Sequence, residues 1–248
     1  MNENRRESGT SVVLLYHRLG LPRLSSLVAG QYVAPALFSS ELDYLTARGW
    51  AAVPLADVAK ISRGNGYVEQ DEFAITFDDG YLSVYQHAYP ALVQRQLTAT
   101  VYVVANAIGG VNEWDLRNGD KKEAMMTTEQ VREMADKGFE IGSHTLSHPH
   151  LTELDDTQLR SEIIDSKHKL EDIIGHEVSS FSYPYGSYDE RVIAVAMEAG
   201  YKNAVSTKLG VAGKSSLFEI PRVNVRWNAI GPLLMRKIER ARKASGIW

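Results

Sequence analysis

The chain has 248 residues, 27 Lys and Arg against 31 Asp and Glu, and a net charge of −4. It holds no cysteine, which excludes disulfide scaffolds, thiol nucleophiles, Cys-ligated zinc and iron–sulfur clusters, so any metal must be held by His, Asp or Glu. The near-neutral charge gives no reason to expect nucleic acid as a partner, and the length suits one domain, since α/β barrels run to roughly 250 residues as single units.

The first ten residues are polar, so 1–10 reads as a flexible tail and 11–248 as a single domain. The apolar run Val12-Val13-Leu14-Leu15 is too short for a signal peptide, which needs about 7–15 such residues. The Arg5-Arg6 pair is therefore not read as a twin-arginine signal. No run approaches the roughly 18 apolar residues of a membrane span, and the expectation is a cytoplasmic protein. Strands are expected at 12–16, 73–77, 100–104, 139–142, 180–183, 203–206 and 223–226. Helices are expected at 36–48, 82–96, 128–137, 155–174, 188–199 and 230–244. Strands alternating with helices indicate βαβ units and a parallel sheet. Thr127 and Thr128 before Glu129 and Gln130 form a capping-box pattern. Gly138, Gly175 and Gly200 each sit just past a helix, where a left-handed residue is needed. The stretches 20–35 and 107–126 lack periodicity and read as long, functional loops. An open sheet and a closed barrel both remain open. In either, active residues belong at the carboxyl ends of the strands.

That rule points to strand 73–77, which ends in Asp78-Asp79-Gly80. Two adjacent carboxylates repel unless a cation or a shared proton relieves them. Strand 139–142 is followed by His144, His148 and His150, three of the seven histidines. A spacing of four puts His144 and His148 on one face if they lie in a helical turn. His150 is expected to point elsewhere. Two His and one Asp make a three-ligand site with an open position, suited to zinc and a hydrolytic water. The other Asp is then free to take a proton from that water. Ser182-Tyr183-Pro184-Tyr185-Gly186-Ser187-Tyr188 is a third cluster. Its Pro and Gly fix a loop able to aim a backbone N–H at an oxyanion, and its tyrosines suit a sugar ring.

Thr76-Phe77-Asp78-Asp79-Gly80, His144-Thr145-Leu146-Ser147-His148 and Tyr183-Pro184-Tyr185-Gly186 resemble the first three motifs of the polysaccharide deacetylases, the NodB-homology family of carbohydrate esterases. The resemblance runs from about Leu15 to Val225. It implies an α/β fold, a distorted (β/α)7 barrel of the NodB-like type, with 11–248 as one catalytic domain. It implies Asp78 as the base, Asp79, His144 and His148 as metal ligands, and the Tyr185 N–H as oxyanion donor. The metal is a divalent ion, zinc first, with Co2+, Ni2+ and Fe2+ as alternatives. Two departures matter. Ser182 and Tyr183 stand where many members carry an Arg, and no His follows His176, so the family's C-terminal acid is absent. His17, in Tyr16-His17-Arg18, takes the acid role. This pattern resembles the branch that includes the poly-β-1,6-N-acetylglucosamine deacetylases. Arg222 stands in for the missing Arg and orients Asp78.

The expected function is a metal-dependent hydrolase of C–N bonds other than peptide bonds, removing an N-acetyl group from an amino sugar or glycan. Alternatives are hydrolysis of a non-sugar amide or formamide on the same scaffold, and a non-catalytic glycan-binding module. The partner is a carbohydrate: an N-acetylated amino sugar, an oligosaccharide or a lipid-linked saccharide. The last helix carries five cations against Glu239 and an apolar side of Leu233, Leu234 and Ile238, which suggests peripheral membrane contact. His87, His168 and His176 are expected to take no part in catalysis.

Overall fold

A computed structural model of the protein describes residues 9–21, 26–63, 68–213 and 216–246. Most of the expected tail 1–10, with its Arg5-Arg6 pair, lies outside the described residues, as do part of the 20–35 loop and the last two residues of the 11–248 unit. The described strands are β1 (Ser11–Tyr16), β2 (Arg18–Leu19), β3 (Tyr32–Val33), β4 (Ala51–Ala52), β5 (Glu72–Phe77), β6 (Thr100–Val103), β7 (Glu140–Ser143), β8 (Ser180–Ser182), β9 (Asn203–Val205) and β10 (Val223–Asn224). The helices are α1 (Pro35–Thr46), α2 (Leu55–Arg63), α3 (Tyr89–Gln94), α4 (Glu113–Arg117), α5 (Thr128–Asp136), α6 (Asp156–Arg160), α7 (Ser166–Ile174), α8 (Glu190–Glu198) and α9 (Gly231–Ala244).

Seven strands pair in the order β10-β1-β5-β6-β7-β8-β9, all parallel. They correspond one for one to the seven expected strands. The segment 220–224 closes the ring. Ile220 donates to the Ala204 carbonyl at 3.1 Å and accepts from the Ser206 N–H at 2.8 Å, while Val223 lies opposite Leu14 of β1. The fold is a distorted (β/α)7 barrel, as the resemblance implies, with β4 attached outside the ring to the start of β5.

The core divides by strand alternation. Val12, Leu14, Tyr16, Phe73, Ile75 and Phe77 face outward and pack with the helices in one apolar cluster. The inward positions are largely polar: Thr76, Tyr102, Ser180, Ser182, Asn203 and Arg222, all buried. They satisfy one another. The Tyr102 hydroxyl and Ser180 Oγ meet at 2.7 Å, and Ser180 donates to Asn203 Oδ1 at 2.7 Å. Gly142 makes room for this column, because a Cβ there would sit 2.4 Å from the Tyr102 ring. At the amino ends of the strands, Leu55, Val58 and Ala59 of α2 pack with Val13 and Ala74.

The capping box forms: Thr127 accepts from the Gln130 N–H at 3.3 Å and the Gln130 side chain accepts from the Thr127 N–H at 2.9 Å. Gly138, Gly175 and Gly200 are left-handed, at φ 83°, 76° and 86°. The expected helix 82–96 is not continuous: it opens into a wide π turn at Val84–Ala88, next to Pro90, which lacks the N–H needed to continue the ladder. Helix 155–174 opens likewise at Ser161–Asp165. In α9, Leu234 and Ile238 are fully buried against the barrel, so most of the apolar side expected to meet a membrane is already covered. No described helix is long and apolar enough to cross a membrane.

Candidate active site

The carboxyl ends of the strands surround a cavity of about 330 Å³ lined by His17, Asp78, Asp79, His144, His148, Trp114 and Tyr185, among others. Alternation along β5 sends Asp78 inward after Thr76. The next residue, Asp79, turns over at φ 77°, an uncommon backbone for a non-glycine residue. The two neighbouring carboxylates therefore point to different partners.

Asp78 meets Arg222. Nη1 reaches Oδ1 and Nη2 reaches Oδ2, both at 2.7 Å, and Ser182 Oγ donates to Oδ2 at 3.1 Å. The guanidinium is fixed in turn by the Ser206 carbonyl at 2.9 Å and by Thr76 Oγ1 at 3.2 Å. Burial pushes the Asp78 carboxyl up, but the Arg222 charge, with His144 and His17, outweighs it and holds the group below its ordinary value.

Asp79 meets two imidazoles. His144 Nε2 lies 3.4 Å and His148 Nε2 3.3 Å from Asp79 Oδ1. The ligand atoms of the three residues all lie within 4.8 Å of one another, and all three residues are buried. His144 Nδ1 donates to the Ser182 carbonyl at 2.7 Å, so Nε2 is the nitrogen that faces Asp79, a donor to it when the ring is charged and a lone pair for a cation when the ring is neutral. Burial raises the Asp79 carboxyl, yet the hydrogen bonds from His144 and His148 draw it well below its usual range. Burial lowers both imidazoles. At His144 the hydrogen bond to Asp79 and the charges of Asp78 and Asp79 win, so its pKa rises; at His148 burial wins, so its pKa falls. One carboxylate oxygen and two imidazole nitrogens converging in a buried pocket fit a divalent cation.

The histidines do not share a helical turn, as their spacing suggested. They flank a loop in which Thr145 and His148 are left-handed, at φ 70° and 62°. Glu162, on the π turn, accepts from the N–H groups of Leu146 and Ser147, each at 2.9 Å, and holds the loop. His150 is exposed, stacks on Tyr185 at 4.0 Å and stands outside the Asp–His–His group.

Tyr185 takes φ 59° inside the turn Pro184–Gly186. Gly186 is required beside it, since a Cβ there would lie 2.0 Å from Thr207 Oγ1. The three tyrosines of this cluster do not form one wall. Tyr183 is buried and donates to the Phe218 carbonyl at 2.9 Å, with Tyr188 stacked on its ring. Tyr185 alone of the three is exposed, its ring edge meeting His148. His17 follows β1, lines the cavity and leaves Nδ1 buried without a partner among the described residues. Burial lowers its pKa, against the pull of Asp79 and Asp78. His87, His168 and His176 are exposed and lie outside this cavity.

A family model described as polysaccharide deacetylase matches residues 65–204. The chain belongs to the polysaccharide deacetylase family. A Bacillus subtilis relative, YxkH, whose name assigns it to the polysaccharide deacetylases, is 35% identical over 61% of this chain and 50% of its own length. The poly-β-1,6-N-acetyl-D-glucosamine N-deacetylase of Staphylococcus epidermidis is 24% identical over 94% of this chain and 86% of its own. The Escherichia coli K12 protein of the same name matches over 34% of its length. The chain thus spans about half of the first of these relatives and a third of the last. Among solved structures, the Streptococcus pyogenes deacetylase PplD, in complex with acetate, superposes with a TM-score of 0.80 at 24% identity, covering 93% of this chain and 99% of that one. IcaB from Ammonifex degensii gives 0.77 at 24%, covering 93% and 97%.

One part of the site escaped the sequence reading of this deacetylase-family chain. Arg18, buried, pairs with Asp115 and, at 3.3 Å, with Asp120. It also donates to the hydroxyls of Tyr81 at 2.6 Å and Tyr32 at 3.1 Å. This clamp holds α4 over the cavity, and α4 carries Trp114, whose ring stacks on His148 at 4.6 Å. The sequence signal for it is the aperiodic loop 107–126, which carries a Trp and two Asp.

Proposed function

We propose that the protein is a metal-dependent hydrolase removing an N-acetyl group from an amino sugar in a glycan or glycan precursor. The observation that carries this reading is the split of two adjacent carboxylates inside one cavity: Asp78 ion-paired to Arg222, Asp79 facing His144 and His148. The names of the Staphylococcus epidermidis and Escherichia coli relatives support the N-acetylglucosamine class.

Asp79, His144 and His148 would hold the divalent ion, zinc first, which supplies Lewis acidity toward the acetyl carbonyl and acidifies water. Asp78, kept ionised and aimed by Arg222 and Ser182, takes the proton of the attacking water. The Tyr185 N–H donates to the oxyanion that develops, a contribution typically of about 3 kcal/mol. His17 gives its proton to the leaving amine. Tyr185 and Trp114 offer aromatic surface to the sugar ring.

The test is acetate release across soluble N-acetyl sugars and simple amides. Asp78→Asn is expected to abolish turnover with metal still bound, whereas Asp79→Ala, His144→Ala and His148→Ala lose the metal as well. Turnover should fall as pH rises through the His17 pKa, which burial places below the ordinary imidazole value, and His17→Ala should remove that limb. Full activity in Asp78→Asn, or after exhaustive chelation, would sink the mechanism.

A further inference from the structure

A second hollow lies at the barrel seam, between β10, the loop after it and α9. It measures about 360 Å³ and is lined by Arg226, Lys237, Arg240, Asn224 and Asn228, among others. Asn224 also lines the catalytic cavity, so the two share a wall. On a chain of net charge −4, three cations converge here. Among the described residues none of the three forms an ion pair, and Lys237 donates only to the Asn224 carbonyl, at 3.3 Å. The acid that acts on Lys237 is Glu41, which burial pushes up to about 8 and so leaves largely protonated at neutral pH. Burial and the charges of Arg226 and Arg240 push Lys237 below the usual lysine range. Like charges gathered without a counter-ion destabilise each other, and a bound anion relieves them. Two planar guanidinium forks beside an ammonium match the oxygens of a phosphate better than a single carboxylate. In the shared wall, Asn224 Oδ1 is buried with no donor among the described residues, an acceptor left for a ligand hydroxyl.

We propose that this hollow binds a phosphate group carried by the substrate, so that the saccharide entering the catalytic cavity is a sugar phosphate or a pyrophosphate-linked saccharide. The saccharide half of this statement rests on the deacetylase reading; the anion half does not.

The probe is inorganic phosphate, titrated calorimetrically into the full chain freed of metal, so that the metal site is silent. Arg226 and Arg240 are exposed, so the double variant Arg226→Ala/Arg240→Ala should keep the wild-type melting temperature. It should bind phosphate about tenfold more weakly, the scale of a lost charge-assisted hydrogen bond, and wild-type binding should weaken with added salt. In the metal-loaded enzyme, the double variant should raise KM for N-acetylglucosamine 1-phosphate about tenfold and leave kcat, and all constants for N-acetylglucosamine, within about twofold. Vesicle retention on phosphatidylglycerol that phosphate competes away would place the phosphate in a lipid headgroup; phosphate binding without retention assigns it to a soluble sugar phosphate. Equal phosphate affinity in wild type and double variant overturns the proposal. Phosphate binding intact with no acetate released from any sugar breaks the deacetylase reading alone.

Discussion

His144 and His148 face the same oxygen of Asp79, but they are held in different ways. His144 belongs to the barrel wall: it leaves β7 directly, and its Nδ1 is tied to the backbone carbonyl of Ser182 on the next strand. His148 belongs to the roof. Its Nδ1 is buried with no partner among the described residues, and its ring is held by stacking on Trp114 and by an edge contact with Tyr185. The wall is positioned by ladder hydrogen bonds between consecutive strands. The roof is positioned by side chains reaching across about a hundred positions of sequence, as Arg18 does to Asp115 and Asp120. Hydrogen-bonded support fixes a ring in one orientation, whereas stacked support depends on whatever anchors the stacking partner.

Breaking each side separately should give different signatures. The largest effect is expected from Arg222→Ala, which leaves Asp78 as a buried, uncompensated charge and should cost about 3–5 kcal/mol in denaturant unfolding. Without the guanidinium the Asp78 pKa rises, so the acid limb of any activity profile should move to higher pH, while metal affinity stays within about twofold because the wall ligand His144 is untouched. Arg18→Met attacks the roof instead. It should cost about 3 kcal/mol and weaken metal binding about tenfold through the loosened Trp114–His148 stack. Metal affinity unchanged in Arg18→Met would erase the distinction between the two supports. The smallest effect tests a site behind the wall, where Tyr16 donates to Glu41 at 2.9 Å. Burial raises Glu41 from 4.5 to about 8, so the stability it contributes is complete below pH 4.5 and is lost as pH rises through about 8. Glu41→Gln should flatten the melting temperature across that range and raise it above the wild-type value at pH 8, with activity unchanged.

The same division explains what could be read in advance. All seven ring strands were legible: β1 is an unbroken apolar run, Val12-Val13-Leu14-Leu15-Tyr16, and the others stand out as short β-type runs alternating with helical stretches. The ends of those strands gave Asp78, Asp79 and His144 directly. The two-residue β4 is too short to show a period, and α2 was missed although Leu55, Val58 and Ala59 lie at helical spacing, because nine residues fall below the roughly 10–12 at which that period stands out. The roof was illegible for another reason. Nothing local to Arg18 says that its partners lie on α4 and the loop after it. Arg222 sits between, being nameable only through its resemblance to a motif; its fork on Asp78 is a long-range contact that no spacing encodes. The spacing of His144 and His148 fits one turn of helix, but the loop brings them together through two left-handed residues, Thr145 and His148, which no spacing encodes.

The seam has a consequence for how the molecule is made. Segment 220–224 pairs first with β9 and then with β1, and it carries Arg222. Synthesis runs from the amino end, so strands β1 to β9 leave the ribosome while Asp78 still lacks its guanidinium. Until Arg222 emerges, β9 and β1 lack the segment that joins them and Asp78 lacks its ion-pair partner. Closing β9 onto β1 is a long-range step that must meet its loop-closure entropy in one event. Joining the barrel's edges and neutralising Asp78 are therefore the same step, and the site is completed only once segment 220–224 is in place.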